Sequence, residues 1–116
     1  MNGVDPWGLF EYTSRAGTPA DGATEAVISC MDTCIGRNLV ITGATEGGHS
    51  PGSAHETGQA CDIGKNSNPG LSRNEVERCF TQCAPNNAYG QEEGNHYHIQ
   101  TRPGRNNSTG FAHGVR

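Results

Sequence analysis

Residues 53–63 of this chain read Ser53-Ala54-His55-Glu56-Thr57-Gly58-Gln59-Ala60-Cys61-Asp62-Ile63. The stretch changes at Gly58 from polar turn residues to small and apolar ones. We predict a glycine-rich loop over 43–58 and a short strand over 59–63. A turn followed directly by a strand can direct the side chains of His55 and Asp62 toward one point.

The second stretch that carries histidines is predicted to form a hairpin. Residues 92–99 read Glu92-Glu93-Gly94-Asn95-His96-Tyr97-His98-Ile99. The turn-prone pair Gly94-Asn95 separates strands that we predict over 89–92 and 96–101. His96 and His98 are two residues apart on the second strand, so both side chains are expected on the same face of the sheet.

His55, Asp62 and His98 together make a set of candidate metal ligands. Imidazole and carboxylate groups suit zinc, and three protein ligands leave a fourth position for water. Of His96 and His98, one can bind the metal while the other stands beside the bound water. Such a set is a weak signal by itself, because most histidines in proteins hold no metal.

Two helices are predicted, one before and one after the first of these stretches. The first, over 23–35, is capped by Asp21 or Thr24 and carries one apolar stripe. The second, over 73–84, is capped by Ser72 and carries a similar stripe.

Four of the five cysteines lie on these helices as two Cys-x-x-x-Cys pairs, Cys30 with Cys34 and Cys79 with Cys83. Positions i and i+4 share one helix face, so two antiparallel helices could be joined by Cys30–Cys83 and Cys34–Cys79. This is one of three possible pairings, and disulfides imply an oxidising compartment. The alternatives are four buried thiols or a four-cysteine zinc site, which helical spacing disfavours. Cys61 is predicted to be a buried thiol in a strand.

The predicted fold class is α+β, a small antiparallel sheet that bears the metal site and is packed with two helices. A further short strand is predicted over 39–42, where β-branched residues cluster. Residues 1–22 and the tail over 102–116 are predicted to be irregular. The 116 residues are enough for one domain.

Charge and hydropathy exclude several kinds of partner. Lys plus Arg is 8 and Asp plus Glu is 12, so the net charge is −4, and no basic stripe exists. Nucleic acid is therefore not expected as a partner. No membrane partner is expected either, because no apolar run approaches the roughly 20 residues of a spanning helix. Residues 1–10 lack the basic start and apolar stretch of a signal peptide, so if the domain works outside the cytoplasm we expect something else to carry it there.

The wider pattern around the ligands resembles a known family. Its fixed positions read Ser-x-His-x-x-Gly-x-Ala-x-Asp-Ile, and they are Ser53, His55, Gly58, Ala60, Asp62 and Ile63, followed later by His-x-His. This pattern resembles the zinc D-alanyl-D-alanine peptidases, a group that also includes lysostaphin-type endopeptidases and the zinc-binding hedgehog domain. The resemblance covers residues 39–100 and implies a hedgehog/D-Ala-D-Ala peptidase-like fold.

The resemblance implies a role for each matching residue. His55, Asp62 and His98 match the ligands of Zn²⁺. His96 matches a histidine beside the zinc that stabilises the reacting oxyanion. Ser53, the first fixed position of the pattern, is assigned to substrate binding.

The catalytic base varies among members of that group. Several members place an acid three residues before the last zinc ligand, where this chain has Asn95. Others place a glutamate six residues before it, which is Glu92 here, with Glu93 as its neighbour. The resemblance therefore favours Glu92 as the base, with Glu93 as the alternative. Many relatives also place an arginine after the strand before the motif. Its absence here after 39–42 favours an endopeptidase, or a different anchor for the carboxylate, over a strict carboxypeptidase.

The N-terminal segment resembles a second known sequence. Asp5-Pro6-Trp7-Gly8-Leu9 is similar to the end of the Rhs-repeat core of bacterial polymorphic toxins, after which a variable toxin domain follows. The resemblance divides the chain into a remnant of that core over 1–10 and a toxin domain over 11–116. It implies an Rhs shell as carrier, delivery by a type VI or related secretion system into a competitor's periplasm, and a cognate immunity protein as a partner.

The two resemblances together predict a zinc-dependent peptidoglycan peptidase, a DD-endopeptidase or carboxypeptidase, that acts as a secreted antibacterial effector. Its substrate would be the stem peptides or cross-links of peptidoglycan. A metal-dependent nuclease toxin is one alternative, since many Rhs toxin domains cut nucleic acid. A hedgehog-like zinc-binding module without catalysis is the other.

Overall fold

The structure, a computed structural model, describes residues 10–17, 19–45, 52–104 and 110–113. The helices and strands within these ranges are, in chain order, β1 (Phe10–Tyr12), α1 (Gly22–Ile35), β2 (Leu39–Gly43), β3 (Ala60–Gly64), α2 (Arg73–Cys83), β4 (Ala88–Glu93), β5 (His96–Gln100) and β6 (Gly110–His113). Short 3-10 turns cover Ser14–Ala16 and Ala54–Thr57. This content confirms the α+β class.

The strands form one sheet in the order β1-β2-β3-β5-β4-β6. All neighbouring strands are antiparallel except β1 and β2, which are parallel. The sheet is therefore mixed, and the prediction of an antiparallel sheet was wrong at this edge. The physical reason is the connection, because α1 lies between β1 and β2 in the chain and a helical crossover returns the chain in the same direction.

Two strands lie in segments that were predicted to be irregular. β1 has only three residues, and β6 lies in a polar, glycine-containing tail, so neither shows a long alternating pattern. β1 also crosses the predicted segment boundary after residue 10, and Phe10 packs in the core. The Rhs-like motif itself, over residues 5–9, lies outside the described residues.

Both helices begin at the predicted caps. The Asp21 side chain accepts a hydrogen bond of 2.8 Å from the Thr24 N–H at the start of α1. Ser72 and Glu75 form a reciprocal capping box at the start of α2. Each cap satisfies N–H groups that have no partner within the helix, so these short polar residues specify where the helices start.

Two disulfides join the helices, with the pairing that helix geometry predicted. Cys30 bonds Cys83 and Cys34 bonds Cys79, and the Cα atoms are 5.7 Å apart in both pairs. The fifth cysteine, Cys61, is buried in β3 outside these bridges. The helix pair is thus covalently closed at two successive turns.

The two faces of the sheet have different surroundings. Cys61 and Ile63 of β3 face the helices and belong to the apolar core, as do Tyr97 and Ile99 of β5. Successive residues of a strand face opposite sides, so the histidines of β5 lie on the other face. Within the described part of the chain, no helix is long and apolar enough to cross a membrane.

Candidate metal centre

Three side chains from separate elements meet on the sheet face opposite the helices. His55 comes from the turn Ala54–Thr57, Asp62 from β3 and His98 from β5. Oδ1 of Asp62 lies 3.2 Å from Nε2 of His55 and 3.3 Å from Nδ1 of His98, and the two nitrogens are 3.1 Å apart. All three residues are buried. The three predicted ligands are therefore neighbours in space.

The spacing of these three atoms fits a tetrahedral ion. Nitrogen and oxygen ligands bind such an ion at about 2.0–2.1 Å, which places neighbouring ligands about 3.3–3.4 Å apart. The observed separations of 3.1–3.3 Å need only a small expansion. The buried cluster can thus hold a metal ion through one atom of each residue.

Hydrogen bonds on the outer side of the cluster orient both imidazole rings. Nδ1–H of His55 donates to the carbonyl oxygen of Ala44 at 2.7 Å, and Nε2–H of His98 donates to Oε1 of Gln100 at 2.6 Å. The Gln100 amide is itself fixed, because its Nε2 donates to the carbonyls of Arg102 and Pro103, both at 2.9 Å. Each ring therefore turns its other nitrogen toward Asp62. Such outer acceptors are what a histidine needs to act as a ligand in one tautomer.

Sequence reasoning did not identify these two acceptors. The Ala44 contact uses a backbone carbonyl, which leaves no residue-type signal. Gln100 follows His98 by two residues on β5, so the strand period places both side chains on one face. The spacing His98-x-Gln100 was the available signal.

The turn that carries His55 is held by contacts at both ends. Oγ of Ser53 accepts a hydrogen bond of 3.2 Å from the His55 N–H. At the other end, Gly58 adopts φ +76°, and a Cβ there would lie 3.1 Å from the backbone nitrogen of Asp21. The Asp21 N–H donates to the Gly58 carbonyl at 2.8 Å. Ser53 thus positions a ligand in this structure, and its role in substrate binding stays a prediction.

The pKa values of Asp62 and His98 are shifted in opposite directions by their contact with each other. Burial opposes ionisation of Asp62, but hydrogen bonds from His55 and His98 outweigh it and lower the pKa of this carboxyl. Burial likewise opposes charge on His98, yet its hydrogen bonds to Asp62 and Gln100 outweigh burial and raise the pKa of the ring. The site therefore favours positive charge next to an ionised carboxylate, and a metal ion supplies such a charge.

His96 and Glu93 lie beside this cluster. Nε2 of His96 is 3.0 Å from Oε1 of Glu93 and 3.7 Å from Oδ1 of Asp62. Its other nitrogen, Nδ1, is 2.8 Å from Oδ1 of Asn95 in the hairpin turn. Both side chains are partly exposed, 27% for His96 and 41% for Glu93. A carboxylate and an imidazole thus stand at the rim, within reach of solvent.

Glu92 lies elsewhere, on the opposite face of the sheet. It is paired with Tyr97 in the register of β4 and β5, whereas Glu93 is paired with His96. The Glu92 carboxylate forms ion pairs with Lys65 and with Arg73, the latter at 3.4 Å. Hydrogen bonding to Lys65 lowers the pKa of Glu92. The structure therefore does not bring the favoured base of the sequence analysis to the cluster, but it does bring Glu93.

A cavity of about 200 Å³ adjoins His96. Its lining consists of Thr42, Gly64, Asn66, Ser67, Asn95 and His96. The groups are hydroxyls and amides around one histidine, and no Lys or Arg is among the described lining residues. A larger concavity, of about 530 Å³, runs along Asn74, Arg78 and neighbouring residues of α2, far from the cluster in the fold.

Comparison of the chain with family models, with curated proteins and with solved structures finds no match.

Proposed function

We propose that this domain is a zinc-dependent peptidase that cleaves the peptides of peptidoglycan. The observation that carries the proposal is the arrangement of two histidines and an aspartate with tetrahedral spacing, beside a histidine and a carboxylate at the rim. Two imidazoles and one carboxylate are a common ligand set for catalytic zinc, which keeps one position open. The resemblance to the D-alanyl-D-alanine peptidases adds the substrate class.

Each side chain in this proposal has a distinct task. His55, Asp62 and His98 would hold the zinc ion, which lowers the pKa of a bound water and polarises the carbonyl to be attacked. Glu93 would accept the proton of the attacking water and pass it to the leaving amine. His96 would donate a hydrogen bond to the oxyanion that develops on the substrate.

Glu93 replaces Glu92 as the proposed base for two reasons. Its carboxylate lies on the same sheet face as the cluster, 3.0 Å from His96. Glu92 is on the other face in ion pairs with Lys65 and Arg73, so it would have to break both contacts to act. A general base must reach the proton that it removes, and geometry decides this before pKa does.

The cavity beside His96 supports an endopeptidase. Asn66, Ser67 and Asn95 offer hydrogen bonds to neutral peptide groups. A cationic side chain would bind the terminal carboxylate of a carboxypeptidase substrate more strongly than these groups, and no Lys or Arg is among the described residues that line the cavity. Internal bonds, such as those of peptidoglycan cross-links, are therefore the proposed substrate.

The compartment and the partners remain part of the proposal. The two disulfides suit an oxidising compartment such as the bacterial periplasm. Delivery there by an Rhs shell through a type VI or related system, and protection of the producer by an immunity protein, rest on the resemblance of residues 5–9 alone.

The test is mass spectrometry of purified, cross-linked peptidoglycan fragments incubated with the zinc-loaded domain. We expect dimers to be converted to monomers, and a zinc chelator to stop the conversion. Glu93→Gln should lower the rate by about 10²- to 10⁴-fold, the usual contribution of a positioned base. Glu92→Gln is the matched control, and it should retain most of the rate.

Other outcomes separate the alternatives. A folded, zinc-loaded domain that leaves all fragments intact contradicts the peptidase proposal and favours the binding module. Chelator-sensitive cleavage of DNA or RNA would favour the nuclease. Equal loss of activity in both glutamine variants would contradict the assignment of Glu93.

A further inference from the structure

We propose that Asp62, Glu93 and His96 form a second, weaker zinc site, and that an ion bound there inhibits the enzyme. Asp62 would be shared by the two sites. The binding part of this inference stands on geometry alone, whereas inhibition rests on the function proposed above.

The geometry of the second site is set by Nε2 of His96. This nitrogen faces two carboxylates, with Oε1 of Glu93 at 3.0 Å and Oδ1 of Asp62 at 3.7 Å. One ligand atom from each of the three residues lies within 4.8 Å of the other two. One imidazole and two carboxylates are ligands that zinc accepts. A modest rotation of the Glu93 side chain would bring its carboxylate oxygen closer to the ligand atoms of Asp62 and His96, so that all three could contact one ion.

The hairpin holds these groups in place. Glu93 and His96 are paired in the register of β4 and β5, directly beside the turn Gly94-Asn95. Oδ1 of Asn95 lies 2.8 Å from Nδ1 of His96, which leaves Nε2 directed at the carboxylates. Asp62 is on the neighbouring strand β3, opposite His98 in the register. All three ligands therefore come from adjacent strands of the sheet, Asp62 from β3, Glu93 from β4 and His96 from β5.

The second site should be weaker than the first for two reasons. Its side chains are more exposed, 41% for Glu93 and 27% for His96, so water competes more strongly there. An ion in the first site already neutralises part of the negative charge of Asp62, and the two cations repel each other. Pairs of metal ions do lie about 3.5–4 Å apart in the two-metal sites of other enzymes, so two ions on either side of Asp62 are compatible with known spacing.

Inhibition follows from which groups the second ion occupies. Glu93 is the proposed base and His96 the proposed donor to the oxyanion. An ion held by both would take the lone pairs that accept the proton and remove the ring N–H that stabilises the intermediate. The domain should then be active with one ion and inactive with two.

The test measures how much zinc the protein binds, without reference to hydrolysis. The full chain is stripped of metal, dialysed against a series of buffered zinc concentrations, and analysed for zinc per chain. We expect two steps in the wild type, and we expect Glu93→Gln to lose only the second. His96→Gln should do the same if Glu93→Gln folds poorly, and Glu92→Gln should keep both steps.

Three results would overturn the binding inference. The first is a wild type that takes up a single zinc ion across the series. The second is a Glu93→Gln variant that still binds two ions, and the third is a Glu92→Gln variant that loses the second ion. Hydrolysis of peptidoglycan fragments, measured over the same series, tests inhibition separately. Activity should rise with the first step and fall with the second, and activity that persists through the second step contradicts inhibition. No activity at any step contradicts the proposed function and leaves the two-step binding curve to be judged by itself.

Discussion

The paired disulfides between α1 and α2 make a quantitative prediction about stability. We consider removal of either bridge as an alanine pair, Cys30→Ala with Cys83→Ala or Cys34→Ala with Cys79→Ala, and removal of both together. The bridges are nested, with sequence separations of 53 and 45 residues. Nesting means that the two do not act independently on the unfolded chain.

The magnitude follows from the loops that each bridge closes. A single bridge across about 50 residues lowers the entropy of the unfolded chain enough to add about 4 kcal/mol to the free energy of unfolding. Once one bridge is present, the other closes a small loop of about eight residues, four on each helix, which adds only about 2.5 kcal/mol. Removal of one bridge should therefore cost about 2.5 kcal/mol, and removal of both about 6.5 kcal/mol.

The assay is urea unfolding followed by far-ultraviolet circular dichroism. Reduced wild type serves as the control for loss of both bridges without changes in packing, which matters because Cys79 is fully buried. Small domains are stable by about 5–15 kcal/mol, so a loss of about 6.5 kcal/mol is a large fraction of the total and should lower the urea midpoint of the fully reduced protein strongly. A reduced protein within about 1 kcal/mol of the oxidised one would refute this chain-entropy reasoning. If the losses of unfolding free energy from the two single removals add up to the loss from the double removal, the reasoning about nested bridges is refuted.

Three further predictions concern the sheet and the metal centre. Gly90→Ala should destabilise the domain by about 1–3 kcal/mol, because a Cβ there would lie 2.1 Å from the ring of Phe111. Chemical unfolding measures this loss, and an unchanged midpoint would contradict the packing of β6 on β4. Gln100→Leu should weaken zinc binding by about 10- to 100-fold, because it removes the acceptor that orients His98, and competition with a coloured chelator gives the affinity. Zinc at 100 times its dissociation constant should raise the free energy of unfolding by about 2.7 kcal/mol. Asp62→Ala should abolish that gain, and a gain that survives would place the ion elsewhere.

Local patterns specified most of the elements. Helix caps at Asp21 and Ser72 act through hydrogen bonds within a few residues, so they can be read from the chain and both are confirmed. The observed disulfide pairing was one of three that the sequence left possible. The positions i and i+4 share a helix face, and the antiparallel packing of the two helices in the structure selects Cys30–Cys83 and Cys34–Cys79. The strands β1 and β6 were missed because each is short and is stabilised by its partner strand, β2 or β4, rather than by its own pattern.

The metal centre, too, was predictable from the sequence only in part. The sequence alone supplied the candidate ligands His55, Asp62 and His98. Residue type indicates the set, and the resemblance to the zinc peptidases selects His98 over His96, which the strand period places on the same face. Only the tertiary structure decided which glutamate accompanies them. Glu92 and Glu93 are adjacent in the chain and chemically identical, but the register of β4 on β5 turns one toward Lys65 and the other toward His96. The two-residue turn Gly94-Asn95 sets this register within the hairpin. Only the tertiary structure brings Asp62 of β3 and the turn that carries His55 to the same sheet face as Glu93, because those contacts join segments far apart in the chain.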